Sequence, residues 1–349
     1  MLLSDYRPLS KLVTKKTLVD KPRYQVIDAH NHLGSDFGGG WDKKPINELI
    51  DLLDTAGITK YIDLDGGWGE EILNNHLDYF KAKAPDRFQV FGGVDWSQWK
   101  KRGNQFPEWA AKRIVVQKKA GAQGIKIWKP FGLQVKDPQG NLVKVDDIRL
   151  TPIWQTAGEL KLPVIIHVAD PVAFFDPIDK TNERWEELKS HPDWAYTSPP
   201  YPPFMDILNG LKNLVKRHSS TVFIGAHVGC YAENLRWVGE MLDLCPNYFI
   251  DISGRIGELG RQPFTAKEFF VKYQDRILFG SDMSPDLNAY RVYYQFLESD
   301  DEYFNYGTSE IPDQGRWQVY GLSLPDQVLK KIYFSNADRV LNEEKSNVK

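Results

Sequence analysis

Two histidines stand two residues apart at the end of a short apolar run, Val26-Ile27-Asp28-Ala29-His30-Asn31-His32. Alternate side chains of a β-strand point to the same face, so His30 and His32 are expected to emerge together. Two imidazoles that leave a strand end on one side can share a divalent cation. Ordinary loop histidines would give the same short pattern, so the rest of the chain has to decide between the two interpretations.

Four of the seven histidines lie where a short apolar segment ends. Besides the first pair, these are His167, after Val164-Ile165-Ile166, and His227, after Phe223-Ile224-Gly225-Ala226. The apolar run at 277–280 leads to Asp282, which shares a strand face with the small Gly280. A scatter of unrelated histidines would rarely collect at strand ends in this way.

Three imidazoles and one carboxylate are a ligand set typical of zinc, with manganese, iron or nickel as substitutes. An ionised carboxylate among apolar strands needs a cation or strong donors beside it. A strand-end aspartate can also cap a turn, and one histidine can be an ordinary core residue. Taken together, the pattern predicts one divalent metal, zinc in the first place and manganese as the alternative, on His30, His32, His167 and Asp282.

The elements that must position these residues alternate between strand-like and helix-like segments along the whole chain. Short segments rich in Val, Ile, Phe and Tyr predict strands at 25–29, 60–64, 89–94, 124–128, 163–168, 221–226, 248–252 and 277–280. Segments of helical periodicity separate them. Eight such units predict an α/β fold, a (β/α)8 TIM barrel in one domain spanning 1–349. A doubly wound open sheet is the alternative, disfavoured because no glycine-rich phosphate motif follows the first strand.

An N-terminal extension, 1–23, precedes the predicted barrel, and three long insertions, 131–147, 169–202 and 283–324, follow predicted strands. Loops after strands lie on the C-terminal face of a barrel, where active sites form. Loops of this length inside a compact domain are usually functional. The last two are rich in Trp, Tyr and Phe. We therefore expect them to border the site, and the segment 131–147 to form a β-hairpin.

Bulk composition excludes several classes of function. The chain has 349 residues, 26% of them charged, and a net charge of −3, without charge blocks that would favour nucleic acid or a membrane surface. Only Cys230 and Cys245 are present, which suits a reducing compartment. Residues 1–16 contain no apolar signal-peptide core. We expect a cytoplasmic protein, unless an export signal has been trimmed, with a small-molecule substrate; a homo-oligomer is left open.

The motifs resemble the amidohydrolase superfamily, in the branch that includes aminocarboxymuconate-semialdehyde decarboxylase and sugar-acid and pyrone lactonases. The matching stretches are 27–33, Gly124-Ile125-Lys126-Ile127, 163–167, Ile224-Gly225-Ala226-His227-Val228-Gly229 and 277–282. The resemblance implies that His30, His32, His167 and Asp282 bind the metal. It also implies that His227 acts on the metal-bound water as the catalytic base.

Three further residues are predicted to contact the substrate. Lys126 corresponds to a lysine that is carboxylated and bridges two metals in binuclear relatives, whereas the mononuclear branch manages without such a bridge. We favour one metal and a cationic Lys126, with Trp128 on the same strand face. Strand alternation also places Asp251, Ser253 and Arg255 on one face, and a guanidinium suits a carboxylate bidentately.

The expected function is a metal-dependent hydrolase, in which His227 and Asp282 handle protons while a metal-activated water attacks a carbonyl carbon. The aromatic loops and Arg255 favour a small, acidic, cyclic substrate, either a lactone or an amide. The first alternative is a non-oxidative decarboxylase of an unsaturated carboxylic acid, which would use the same ligands. The second is a non-catalytic barrel that retains a metal.

Overall fold

The computed structural model describes residues 10–35, 37–307, 309 and 311–341. Short, largely buried strands form because apolar β-branched runs alternate with turn residues along the chain. Their bounds, in chain order from β1 to β9, are Val26–Asn31, Ile58–Asp63, Phe88–Val90, Gly92–Gly93, Ile125–Ile127, Val164–Ile166, Phe223–Gly225, Tyr248–Asp251 and Ile277–Leu278. Every neighbouring pair is parallel, in the order β1-β2-β3 and β4-β5-β6-β7-β8-β9.

Backbone hydrogen bonds join these two sheets into a closed barrel. β3 and β4 are one strand interrupted at Phe91, whose N–H donates to Asp63 O at 2.9 Å, and Gly92 N donates to Gly124 O at 3.0 Å. On the other side, Ala29 N donates to Phe279 O at 3.0 Å, which connects β1 to β9. Eight strand positions therefore close on themselves, and the predicted (β/α)8 barrel is confirmed.

Helices cover the outside of the barrel. Their bounds are Ile46–Ala56, Glu70–His76, Trp99–Arg102, Phe106–Ala120, Thr151–Glu159, Trp185–Ser190, Phe204–Arg217, Leu235–Leu244, Ile256–Gly260, Pro263–Lys272, Leu287–Glu298, Asp326–Lys330 and Asn336–Leu341. A small cluster drawn mostly from the strands, including Ile27, Ile165 and Leu278, forms an apolar core separate from the larger one under the helices. The apolar cluster thus lies beneath the polar residues that end the strands.

The long insertions differ in detail from the sequence prediction. Within 131–147 the expected hairpin is short: one antiparallel bridge joins Lys136 to Leu142, with Val143 N donating to Val135 O and Asp137 N to Asn141 O, both at 2.9 Å. The insertion 283–324 includes the unpredicted helix Leu287–Glu298; its residues 308 and 310, like residues 1–9 of the N-terminal extension, lie outside the described residues. Across the described part of the chain, every helix is too short or too polar to cross a membrane.

Candidate metal centre and substrate cavity

Two carboxylates orient the histidines at the end of β1. His30 Nδ1 lies 2.8 Å from Asp251 Oδ2, and His32 Nδ1 lies 2.7 Å from Asp65 Oδ1. All four side chains are buried. A carboxylate on Nδ1 fixes the N–H there and makes Nε2 the nitrogen directed into the site, which is how metal-ligating histidines are usually held.

The Asp282 carboxylate lies between these imidazoles. Its Oδ1 is 3.0 Å from His32 Nε2 and 3.8 Å from His30 Nε2, and its Oδ2 is 3.6 Å from His227 Nε2. The side chain is 28% exposed, so its outer face opens to solvent while its inner face meets the histidines. A side chain at Gly280 would clash with the site, because a Cβ there would lie 2.9 Å from His30 Cβ. The predicted residues of β1 and β9 therefore meet at one point.

His227 follows β7 in an unusual backbone turn. His227, Val228, Gly229 and Cys230 all have φ between 57° and 65°, the left-handed region that L-residues rarely adopt in succession. The His227 N–H donates to Asp251 Oδ1 at 3.0 Å, and Nδ1 lies 2.9 Å from Ser253 O. A carbonyl oxygen can only accept, so Nδ1 carries the proton and Nε2 remains an acceptor that faces Asp282.

His167 is the one predicted ligand that stands slightly apart. Its ring centroid is 4.4 Å from that of His227, and its Nε2 is 3.3 Å from Asp170 Oδ1 without hydrogen-bond alignment. Ligand atoms of His30, His227 and Asp282 lie within 4.8 Å of one another. By distance alone, His227 could therefore be a metal ligand together with His30 and Asp282. The assignment of His167 as ligand and His227 as base stays a prediction.

Protonation differs among these imidazoles. Burial and the neighbouring Lys126 ammonium lower the pKa of His30, and burial with repulsion from His167 holds the pKa of His227 well below its usual value. Burial lowers the pKa of His167 to about 4. Burial opposes protonation of His32 as well, yet hydrogen bonds to Asp282 and Asp65 raise its pKa to about 9. In the metal-free protein, His32 is therefore the imidazole of this group that carries a second proton, and so a positive charge, at neutral pH.

Lys126 is buried, and its Nζ lies 2.9 Å from His30 Nε2 and 4.9 Å from the Trp128 ring centroid. Burial lowers the pKa of Lys126 to about 8, which still leaves an ammonium at neutral pH. This ammonium donates to His30 Nε2, the same lone pair that a metal would use. Lys126 therefore faces the proposed metal position directly.

A cavity of about 510 Å³ opens above these groups. All eight predicted site residues line it: His30, His32, Lys126, Trp128, His167, His227, Arg255 and Asp282. One wall is aromatic: the Trp68 and Trp128 rings stack at 3.8 Å, and Phe37 stacks on Trp68 at 5.8 Å. His32 in turn stacks on Trp128 at 5.1 Å. The cavity therefore offers a flat apolar surface next to the histidines.

Arg255 lines the same cavity and is only 6% exposed. Its Nη1 donates to Gly254 O at 2.9 Å. Within the described residues no carboxylate lies within ion-pair distance of Arg255; Glu187 and Glu258 pair with Arg184 and interact with Arg255 only at longer range. A buried guanidinium without a direct ion-pair partner can receive an acidic ligand.

Sequence reasoning missed Asp65 and Asp170. Asp65 lies in a Gly-rich loop and accepts from His32 and from the backbone of Leu33 and Gly34. Asp170 pairs with Lys129 Nζ at 2.7 Å beside His167. Asp65 comes directly after the predicted strand 60–64, and Asp170 lies two residues after the predicted strand 163–168. The strand-end position that pointed to the histidines could therefore have pointed to both.

The donor set fits a divalent metal. Nε2 of His167 is buried and has no hydrogen-bond partner among the described residues. Nε2 of His30 and of His32 are aimed at one carboxylate by partners on Nδ1. An orphaned imidazole nitrogen and two oriented ones around an aspartate match the nitrogen and oxygen ligands of zinc and manganese.

A closed parallel barrel with histidines and an aspartate at the C-terminal ends of its strands is the architecture of a metal-dependent barrel enzyme. The family model described as Amidohydrolase matches residues 27–342. The chain therefore belongs to the amidohydrolase family, as its motifs predicted. No curated protein resembles the chain closely enough to be matched.

Solved structures share the fold at low identity. The 2,6-dihydroxybenzoate decarboxylase from Rhizobium has a TM-score of 0.56 at 16% identity, covering 92% of this chain and 99% of that one. A dihydroxybenzoic acid decarboxylase from Polaromonas sp. JS666, with bound manganese and the inhibitor 2-nitroresorcinol, has a TM-score of 0.57 at 15% identity, with 93% and 98% covered. A putative amidohydrolase from Staphylococcus aureus has a TM-score of 0.56 at 15% identity, covering 92% of this chain and 99% of that one.

Proposed function

We propose that this amidohydrolase-family protein is a divalent-metal-dependent carboxy-lyase, which removes carbon dioxide from a small, planar, unsaturated carboxylic acid. The observation that carries the proposal is the pairing of a flat aromatic wall with a buried, unpaired guanidinium in one cavity. Trp68 and Trp128 form the wall, and Arg255 supplies the cation. A sugar-acid lactone is puckered and fits a flat wall less well than an aromatic or conjugated acid does.

The structural neighbours support decarboxylation as well. Two of the structures just described are decarboxylases of dihydroxybenzoic acids, and one of these contains manganese. We therefore place manganese beside zinc as the metal, whereas the sequence alone favoured zinc. We also propose decarboxylation ahead of hydrolysis, which the sequence placed first.

The site residues have distinct tasks in this proposal. His30, His32, His167 and Asp282 would hold the metal, which supplies positive charge toward the oxygens of the substrate. The aromatic wall of Phe37, Trp68 and Trp128 borders the ring, and Arg255 orients its acidic group. Asp282 and His227, whose atoms are 3.6 Å apart, deliver a proton from solvent to the ring carbon that bears the carboxylate. The bond to the carboxylate carbon then breaks, its electron pair restores the conjugated ring, and carbon dioxide leaves.

Hydrolysis of a lactone or amide is the second candidate, and the state of His227 favours it. The imidazole is neutral, Nδ1 is fixed on Ser253 O, and Nε2 faces the cavity as an acceptor. A neutral imidazole in this position can take a proton from an attacking water. A bound metal would make that water more acidic.

The test is a substrate panel assayed for two products. Hydroxylated benzoic acids and conjugated dicarboxylic acids are scored for carbon dioxide release, and sugar-acid lactones are scored for acid release, with Asp282→Asn and chelator-treated protein as controls. Metal-dependent carbon dioxide release supports the carboxy-lyase. Lactone opening without carbon dioxide release would contradict it and favour the hydrolase, and ligand binding without either product would favour a non-catalytic barrel.

A further inference from the structure

Three successive backbone N–H groups around Asp282 all donate to residues of β1. Ser281 N donates to Asp28 Oδ1 at 3.0 Å, Asp282 N to His30 O at 2.8 Å, and Met283 N to Asn31 Oδ1 at 3.0 Å. The middle bond is the ordinary link between neighbouring strands, whereas the outer two use side chains. The strand β1, which carries the predicted ligand His30, thus also holds the backbone on both sides of the predicted ligand Asp282.

We propose that Asp28 and Asn31 are positioning residues, which lock the backbone at Asp282 and so hold its carboxylate between His30 and His32 before a metal or substrate binds. The proposal rests on the proposed role of Asp282 as a metal ligand. It assigns a task to Asp28 and Asn31, the two polar residues of the stretch 26–32 that have no role in the proposed reaction. The pair Asp28 and Asn31 is called the β1 clamp below.

The backbone of Asp282 requires such a clamp. Its φ is 53°, in the left-handed region, which aspartate tolerates better than most residues but does not prefer. A conformation of this kind persists only where surrounding interactions determine it from several sides. The peptide plane before Asp282 is held by the bond from the Asp282 N–H to His30 O, and the plane after it by the bond from Met283 N to Asn31 Oδ1. Asp28 fixes the preceding plane through Ser281 N. Rotation about the Asp282 backbone therefore breaks at least one of these bonds.

The β1 clamp is itself fixed. Asp28 Oδ2 accepts from Asn31 Nδ2, from Ser281 Oγ at 2.6 Å and from Tyr290 OH at 2.9 Å. Asp28, Asn31, Ser281 and Tyr290 are all buried, with exposures between 0% and 2%. Buried polar groups that are fully bonded rigidify their surroundings, since breaking any one bond leaves an unsatisfied partner. The two acceptors therefore stay in place without help from a ligand.

The position of the carboxylate depends on this lock together with the contact of His32 Nε2 on Oδ1 at 3.0 Å. Asp282 is 28% exposed, and its oxygens contact the imidazoles of His30, His32 and His227. A turn of its backbone toward an ordinary conformation would swing the carboxylate away from these imidazoles. Loss of the clamp should therefore weaken metal binding more than a matched loss of stability elsewhere.

The test compares Asn31→Ala with Tyr294→Phe as a matched control. The Tyr294 hydroxyl is also buried and donates to Ala56 O at 2.7 Å from the same helix as Tyr290, without contact to residues 281–283. Titration of each metal-free protein with Mn²⁺ should give a dissociation constant about 10- to 100-fold weaker for Asn31→Ala. Tyr294→Phe should keep the wild-type constant within about twofold while its thermal midpoint falls. Equal loss of Mn²⁺ affinity in both variants, or none in Asn31→Ala, would overturn the proposal.

A second variant and a second readout guard against simple misfolding. Asn31→Ser keeps a polar side chain but cannot reach Met283 N, and it should show the same weakened Mn²⁺ binding. Crystal structures of wild type and Asn31→Ser test the clamp without any metal: the backbone at Asp282 should leave the left-handed region only in the variant. If wild type binds no Mn²⁺, the ligand proposal fails, and an unchanged φ in Asn31→Ser would separately contradict the clamp.

Discussion

Asp251 accepts from His30 Nδ1 at 2.8 Å through one carboxylate oxygen, while its other oxygen accepts the His227 backbone N–H at 3.0 Å. One buried residue at the end of β8 thus fixes both a proposed metal ligand and the proposed proton-transfer group. Electrostatic interaction with the His30 imidazole and the hydrogen bond accepted from it hold the pKa of Asp251 low despite its burial. The site therefore depends on a carboxylate that touches neither metal nor substrate.

Asp251→Asn should lower metal affinity by about 10- to 100-fold, because the amide either loses the His30 N–H or forces the other tautomer. Titration with Mn²⁺ measures the change. Glu298→Gln is a matched control, since Glu298 is also a buried carboxylate but bonds to Tyr333 OH, away from the cavity. Unchanged affinity in Asp251→Asn would mean that His30 is oriented by other contacts.

His167→Asn and His227→Asn should separate the two histidines whose roles the geometry leaves close. We expect His167→Asn to lose metal and His227→Asn to keep it while kcat falls by about 10²–10⁴-fold, the usual effect of removing a proton-transfer group. Metal content per chain and kcat are measured on the same preparations. A metal-free His227→Asn with a metal-loaded His167→Asn would reverse the assignment.

Much of this arrangement could be predicted from strand-end patterns. The apolar runs that end at His30, His32, His167, His227 and Asp282 do converge on one cavity. The alternation of side chains along a strand also predicted that Asp251 and Arg255 share a face, and both lie at the site. Residue type and alternation suffice here because parallel strands deliver their C-terminal ends to the same face of a barrel.

The remainder depends on tertiary context. The helix Leu287–Glu298 lies in a segment predicted as a long loop, although Tyr290, Tyr294 and Leu297 follow a helical period and are buried. Asp65 is absent from the predicted site because its contact with His32 forms only once β1 and β2 lie side by side. The left-handed backbone at His227 and Asp282 has no local signal, since neither residue is glycine.

Arg255→Met should raise KM for an acidic substrate by about 10- to 100-fold, as a lost hydrogen bond to a charged group costs about 1.5–3 kcal/mol. A neutral analogue of the same ring should show a much smaller change. Arg261→Met serves as a control, because Arg261 pairs with Glu183 outside this cavity. Equal losses for the acid and the neutral analogue would show that Arg255 is structural.

Metal affinity should rise with pH up to about pH 9. His32 holds a proton below that value in the metal-free protein, because Asp282 and Asp65 outweigh its burial and raise its pKa to about 9. The metal must displace this proton, so below pH 9 the association constant should increase about tenfold per pH unit. Titrations between pH 6 and pH 8.5 measure the slope. A slope of two would mean that Lys126 loses its proton too, and a flat profile would exclude His32 as a ligand.

Anomalous diffraction from crystals grown with Mn²⁺ tests the central claim most directly. We predict one peak per chain, bonded to His30 Nε2, His32 Nε2, His167 and Asp282, with Lys126 unmodified. Two peaks bridged by a carboxylated Lys126 would contradict the mononuclear site. A peak on the neighbouring buried cluster of Asp63, Asp65 and His76, with none at Asp282, would contradict the ligand set itself.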